Sequence, residues 1–163
     1  MMQEFIRSTA KALVVHEGKV LLNRSHDQWN GDYYSLPGGG QNRFEMMEDA
    51  VRREVLEETG YAVRPVRLLA VSEEIWDDPE LREKHPKYAH RIAHIFLCAL
   101  ENPARQEATE PDFGVVETEW VPLEKVDALL LEPRALTGKV SALLSGEAPV
   151  FLGSHHILPK EPV

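Results

Sequence analysis

Residues 39–61 read GGQNRFEMMEDAVRREVLEETGY and follow a glycine-rich corner, Leu36-Pro37-Gly38-Gly39-Gly40. Within this stretch Glu54, Glu57 and Glu58 fall into about one helical turn. Glutamates spaced i, i+3 and i+4 share a helix face, where like charges destabilise by roughly 0.2–0.5 kcal/mol per pair. A positive partner is expected to offset that repulsion. A hard divalent cation is the natural one, because Mg²⁺ takes oxygen ligands and bridges one or two carboxylates to substrate phosphates.

Working outward, the pattern turns helical at about Met46. Glu48 and Asp49 lie near the helix start, where negative charge suits the dipole, and Gly60 suits the position just past the end. Val51, Val55 and Leu56 are expected to form an apolar stripe packed on a sheet. Glu54, Glu57 and Glu58 take a neighbouring arc at the edge of a cleft. Before the helix, Pro37 biases Leu36 toward an extended backbone and the glycines open angles closed to other residues.

The rest of the chain reads as strands with short helices. Ala10 to His16, a Glu17-Gly18 turn and Lys19 to Arg24 predict a hairpin, with a second turn signal at Asn30-Gly31. Val63 to Ser72 predicts a strand interrupted by Pro65. Residues 73–88 are charged, and Pro79 and Pro86 argue against long regular structure there. His90 to Leu100 is the most strand-like run of the second half, residues 102–114 read as a loop, and Glu117 to Val121 as a further strand. A turn and helix are expected from Pro122 to Leu131 and a second helix from Leu136 to Leu144. No repeat or linker divides residues 1–163, so one domain is expected, with residues 146–163 as an extended tail. Mixed strands with helices on either side give an α/β/α sandwich.

Composition narrows the function. At 163 residues the chain is long enough for a substantial core. Lys+Arg 18 against Asp+Glu 27 gives a formal net charge of −9. That balance argues against general nucleic-acid binding, which needs a concentrated basic surface, but not against a small phosphorylated substrate. Cys98 is the one cysteine; with apolar neighbours it reads as a buried hydrophobe, not a nucleophile. No signal peptide is evident, and no apolar run approaches the ~20 residues a membrane span needs. The cytoplasm is the expected compartment, and a homodimer is an allowed assembly.

Written as a pattern, the opening stretch is G-x5-E-x7-R-E-U-x-E-E-x-G-U, with U a bulky apolar residue. Gly39, Glu45, Arg53, Glu54, Val55, Glu57, Glu58, Gly60 and Tyr61 fill its fixed positions, Tyr61 most loosely. This pattern resembles the Nudix box. The resemblance implies a Nudix-type α/β/α fold with a mixed sheet and a hydrolase that cleaves a diphosphate linkage in a nucleoside diphosphate derivative or nucleoside triphosphate. It implies Mg²⁺, with Mn²⁺ as a substitute, held by Glu54, Glu57, Glu58 and the backbone carbonyl of Gly38. Glu45 and Arg53 are implied as supports, with Arg53 also orienting a catalytic glutamate.

For the general base the resemblance leaves Glu57 or Glu54 within the box, or an acid of the later loop. Of Glu107, Glu110, Asp112 and Glu117, the second choice is Glu110 or Asp112. Trp29, Tyr33, Tyr34, Trp76 and Phe113 fall where a ring could stack on a base, although core packing is the better account of any single one. His90 and His94 share a strand face, as cleft residues or as half-buried structural ones; His155 and His156 read as tail residues. Asn42 and Phe44 depart from common family variants, and Phe44 implies altered loop angles with its ring tucked onto the domain or into the cleft. A competing reading is a Nudix-fold ligand sensor or interaction domain without turnover, which the intact box carboxylates disfavour. Isomerase chemistry would need a cleft cysteine, and Cys98 is poorly placed for it. Base, sugar and the linked group stay open.

Overall fold

Strands β1 (Arg7–His16) and β2 (Lys19–Asp27) pair antiparallel at Val15↔Val20 and His16↔Lys19. Glu17 and Gly18 between them both take positive φ, 49° and 75°, the backbone of a two-residue type I′ hairpin. The computed structural model describes residues 5–28, 31–110 and 114–158. The expected features at Trp29, Asn30, Asp112 and Phe113 lie outside the described residues.

Beyond the hairpin the chain forms β3 (Gly31–Ser35), β4 (Gly38–Gly40), α1 (Met47–Thr59), β5 (Tyr61–Trp76), α2 (Pro79–Lys84) and β6 (His90–Arg105). Then come β7 (Val115–Pro122), α3 (Leu123–Val126), β8 (Leu131–Glu132), α4 (Val140–Ser145) and β9 (Val150–Ile157). The strands build one mixed sheet of order β8-β3-β2-β1-β6-β5-β9, with β4 paired to β1 and β7 to β2. β1 runs parallel to β6, and β9 parallel to β5. Only the last residues of β1 meet β2; its first half pairs with β4 instead, at Thr9↔Gly40 to Lys11↔Gly38. The sheet therefore splays open there, and the opening becomes the cleft.

Each face of the sheet carries its own core. On one, Ala50, Val51 and Val55 of α1 pack on Ala10, Ala12, Val14, Phe96 and Cys98. Each fully buried valine of this kind contributes about 1.5–3 kcal/mol. On the other, Leu13, Leu22 and Ile95 meet Val126, Leu136, Val140 and Leu143 from the C-terminal helical segments. Helices thus flank both faces of the mixed sheet in a single domain, as expected.

Several local expectations are corrected. Leu56 is exposed, while Ala50, Val51, Val55, Glu58 and Thr59 form the buried arc. At about 100° per residue, Leu56 falls outside that arc and Glu58 falls inside it. β5 continues four residues past Ser72, and a register shift after Pro65 absorbs the missing N–H. β6 continues through Arg105, into the expected loop. The helix expected at 136–144 is split by Gly138, whose φ is 75°, and α4 begins only at Val140, its N–H groups capped by Asp127. Residues 150–157 are extended as a paired edge strand of the sheet.

Candidate active site

α1 ends where Gly60 turns to φ 78° and its N–H returns to Leu56 O. This fixes the last helical turn, which carries Glu54, Glu57 and Glu58, against the glycine corner at β4. Glu58 is only 9% exposed and accepts the N–H of Gly38 at 2.7 Å. Across Gly39, an added Cβ would lie 2.6 Å from Glu54 Cδ. Only a residue without a side chain lets that carboxylate approach the corner.

Arg53 organises the other acids. Its Nε donates to Glu45 Oε2 at 2.8 Å and its Nη2 to Glu45 Oε1 at 3.0 Å and to Gly40 O at 3.0 Å. Its Nη1 donates to Glu54 Oε1 at 2.9 Å and to Glu57 Oε2 at 3.2 Å. Bonds of this charge-assisted, forked kind are stronger than neutral ones. Hydrogen bonding to Arg53 holds the Glu45 carboxyl below the usual carboxylate range, and the same contacts raise the guanidinium further above its ordinary value. Glu45 also accepts the N–H of Asn42 and so closes the loop before the helix.

The corner opens into a cleft of about 310 Å³ between the splayed halves of the sheet. Glu54, Glu58, Gly38 and Gly39 line one end. Lys11 of β1 lines it too, donating from Nζ to Gly38 O at 3.1 Å. Farther along stand Arg7, Ser72, Glu74 and Arg91, with Tyr33 and Glu132 on the facing wall. Glu132 still meets solvent, but the cleft walls strip enough water from its carboxyl to raise it above the ordinary value.

Among the described residues no cluster of three or more His, Cys, Asp or Glu side chains stands at metal-ligand geometry. Glu54 and Glu57 are turned to Arg53, Glu58 to the Gly38 N–H, and Lys11 holds the Gly38 carbonyl. The donor set itself, three carboxylates and one carbonyl, is all oxygen and fits a hard cation such as Mg²⁺. Such an ion would compete with Arg53 and Lys11 for these oxygens.

The remaining candidates divide. Glu110 is drawn to the site through its backbone, its N–H donating to Glu57 O at 2.9 Å. Glu117 is committed to Arg24 at 3.0 Å, and Glu107 is exposed. His90 and His94 are half-buried and structural, the first 2.8 Å from Glu73 Oε2 and the second 3.0 Å from Thr9 O. Tyr33 reaches the cleft, whereas Tyr34 packs against the core and Trp76 lies under Arg91. Phe44 does take a positive φ of 69°, but the residue is 93% exposed, with the Arg43 guanidinium 4.9 Å from its ring, and is not tucked in. Burial pushes the Cys98 thiol up to about 12, away from any nucleophilic role.

Sequence reasoning missed Arg7, Lys11, Ser72, Glu74, Arg91 and Glu132. One signal was available: polar residues at alternate positions inside otherwise apolar strands, as at Thr9 and Lys11 or Ser72 and Glu74, mark a wet patch on a buried face.

A family model described as NUDIX domain matches residues 6–142. Among solved structures, the chain is similar to an ADP-ribose pyrophosphatase from Streptococcus suis 89-1591, at 23% identity, 90% of this chain, 99% of that one and a TM-score of 0.60. It is similar to the MutT protein from Methanosarcina mazei Go1 at 22% identity, 90% and 100% coverage and a TM-score of 0.60. A MutT NUDIX hydrolase from Burkholderia pseudomallei shares 27% identity over 74% of this chain and 86% of its own, with a TM-score of 0.54. The first two likenesses concern the fold.

Proposed function

Because the chain belongs to the NUDIX family and is accordingly a pyrophosphohydrolase of that type, we propose that it uses a divalent cation to cleave the diphosphate linkage of a nucleoside diphosphate derivative or nucleoside triphosphate. The observation that carries this reading is the single guanidinium of Arg53 gathering Glu45, Glu54 and Glu57 while Glu58 locks onto the glycine corner. Four acids gathered beside a cleft, none more than 27% exposed, are not spread as a solvated surface.

Glu54, Glu57, Glu58 and the Gly38 carbonyl would hold the cation, Mg²⁺ or Mn²⁺. Its contribution when bound is neutralisation of diphosphate charge and activation of water. The protein's own groups supply the rest. Lys11 faces the corner and steers a phosphate oxygen toward it, with Arg7 farther along the same strand. Arg53 orients Glu54 and Glu57 so that neither rotates away. Glu57 accepts the proton of the attacking water as the new P–O bond forms and the bridging P–O bond breaks. Glu110, tethered by its backbone to Glu57, is the second choice as proton acceptor.

The test is product formation with Mg²⁺ across nucleoside triphosphates, nucleotide sugars and dinucleoside polyphosphates, read by phosphate release and chromatography. Cleavage of at least one class at the diphosphate bond is expected. Intact metal binding with no turnover on any member would overturn the proposal.

A further inference from the structure

Two cross-strand rows floor the cleft across β1, β6 and β5, with the Arg7 guanidinium reaching back over Gly40 of the corner. Arg7 of β1, Arg91 of β6 and Glu74 of β5 are direct register partners, as are Thr9, Ala93 and Ser72 in the next row. Register partners project from the same face. All six residues line the cleft, and the short side chains of the second row leave a hollow between the longer ones.

This hollow has unmet hydrogen-bonding capacity. Ser72 is 1% exposed, and its Oγ has no partner. Arg91 Nε is likewise buried without one. Glu74 is 7% exposed, yet Arg91 Nη2 stands 3.9 Å away, beyond hydrogen-bond reach. Leaving a buried polar group unsatisfied costs about 1–3 kcal/mol, so two on adjacent strands, Ser72 Oγ and Arg91 Nε, point to a ligand that completes them.

The charges define that ligand. Arg7 and Arg91 are balanced by Glu74 and by Glu132, whose carboxyl feels both Arg91 and Glu74 from the facing wall. A phosphate would meet two acids here. Neither row carries a ring and the nearby Tyr88 ring is covered by Arg7 at 5.1 Å, so a planar base would have only Tyr33 on the facing wall to stack on. Neighbouring hydroxyls suit the site, since each both donates and accepts: Glu74 takes two donors, while Arg91 Nε and Ser72 Oγ supply partners for their oxygens.

Building on the diphosphate-cleaving reading above, we propose that Ser72, Glu74 and Arg91 form a binding subsite for a sugar attached to the diphosphate, so that the substrate is a nucleotide sugar. The box end takes the charged linkage, and the charge-balanced end reads the hydroxyls.

Titration calorimetry on the full-length Glu57→Gln protein with Mg²⁺ separates the two claims, using ADP-ribose against ADP and UDP-glucose against UDP. The sugar is expected to tighten binding by about tenfold for at least one pair, a discrimination within reach of a few well-placed hydrogen bonds. Adding Ser72→Ala or Glu74→Gln should remove most of that gain while ADP and UDP affinities stay within about twofold. Should Glu74→Gln fail to fold by circular dichroism, Ser72→Ala and Arg91→Lys carry the test. Tight ADP or UDP binding without a gain from the sugar overturns the subsite and leaves the hydrolase reading standing. An equal weakening of ADP and ADP-ribose by the variants also overturns the subsite. Absence of any nucleotide binding, with metal binding intact, overturns both.

Discussion

Arg53 meets Glu45 through two nearly parallel hydrogen bonds, Nε to Oε2 at 2.8 Å and Nη2 to Oε1 at 3.0 Å. The pair joins the loop before α1 to the helix turn that carries the candidate ligands. Glu45→Gln should cost about 1–3 kcal/mol, the range for a charged hydrogen bond whose partner stays partly buried. The cost should depend on pH. The folded Glu45 carboxyl is depressed by Arg53, so its stabilisation is present above the unfolded carboxyl value of about 4.3 and is lost as pH falls through the lower folded value. Thermal melts of wild type and Glu45→Gln should therefore differ at pH 6 and converge in strong acid. A constant difference would show that the contact is not ionic.

Glu57 stands 3.2 Å from Arg53 Nη1 and is part of no apolar core. Glu57→Gln keeps its shape and removes its charge. The expected result is a fall in kcat of at least about 100-fold, the scale of a lost general base, with the melting temperature within a few degrees of wild type. Activity within about tenfold of wild type would shift the proton acceptor to Glu110, whose own Gln variant then becomes decisive.

The helix of the box was legible because its signals are local: charge at the start, Gly60 at the end, apolar residues at helical spacing. The hairpin was legible for the same reason. β9 was not, since only Leu152 of its side chains packs on the core and its partner β5 lies some eighty residues earlier. The far end of the cleft was hidden for a related reason. Arg7, Glu74 and Arg91 become neighbours only through the register of three strands drawn from distant segments. A single sequence without its pairings does not display that row. Phe44 illustrates the remaining gap, because its unusual φ could be anticipated while its exposure depends on what the rest of the fold leaves open.

Adjacent glycines of the corner should respond oppositely to alanine. At Gly38, φ is 138° and a Cβ would fall 2.2 Å from Ala10 O and 2.7 Å from Lys11 Cα. Those atoms are backbone in a paired strand, so Gly38→Ala should destabilise by about 2–5 kcal/mol through strain and overpacking together. At Gly39 the new atom would meet only the carboxylate of Glu54, which can swing aside. Gly39→Ala should keep its stability to within about 1 kcal/mol yet weaken Mg²⁺ binding and turnover. Chemical denaturation and metal titration of both variants check this, and a stable, active Gly38→Ala would contradict the close approach.

Cys98 gives a chemical probe of packing. It is 1% exposed among Ala12, Val14 and Phe96, with its thiol pushed up to about 12 by burial. At pH 8 the native protein should react with a thiol reagent far more slowly than the denatured chain, which should titrate as one thiol. Cys98→Ala should cost about 1–2 kcal/mol through the small cavity it leaves. Fast labelling of the native state would mean that this part of the core opens readily.

β9 covers the edge of β5 from Ala70 to Trp76 and presents Phe151 outward, 65% exposed. Ending the chain at Gly146 would uncover the β5 backbone as a long free edge, the feature that promotes strand-to-strand aggregation. It would also remove Leu152 from the core cluster. The ladder bonds lost, at about 1 kcal/mol net each, together with the buried leucine should lower stability by several kcal/mol. Denaturant melts should show an earlier midpoint, and light scattering a concentration-dependent association absent from the intact chain. Because β5 also carries Ser72 and Glu74, loosening its edge should weaken nucleotide-sugar binding more than Mg²⁺ binding, which depends on α1 and β4. Equal losses of both would indicate global unfolding; retention of both would show that β9 is dispensable to the sheet.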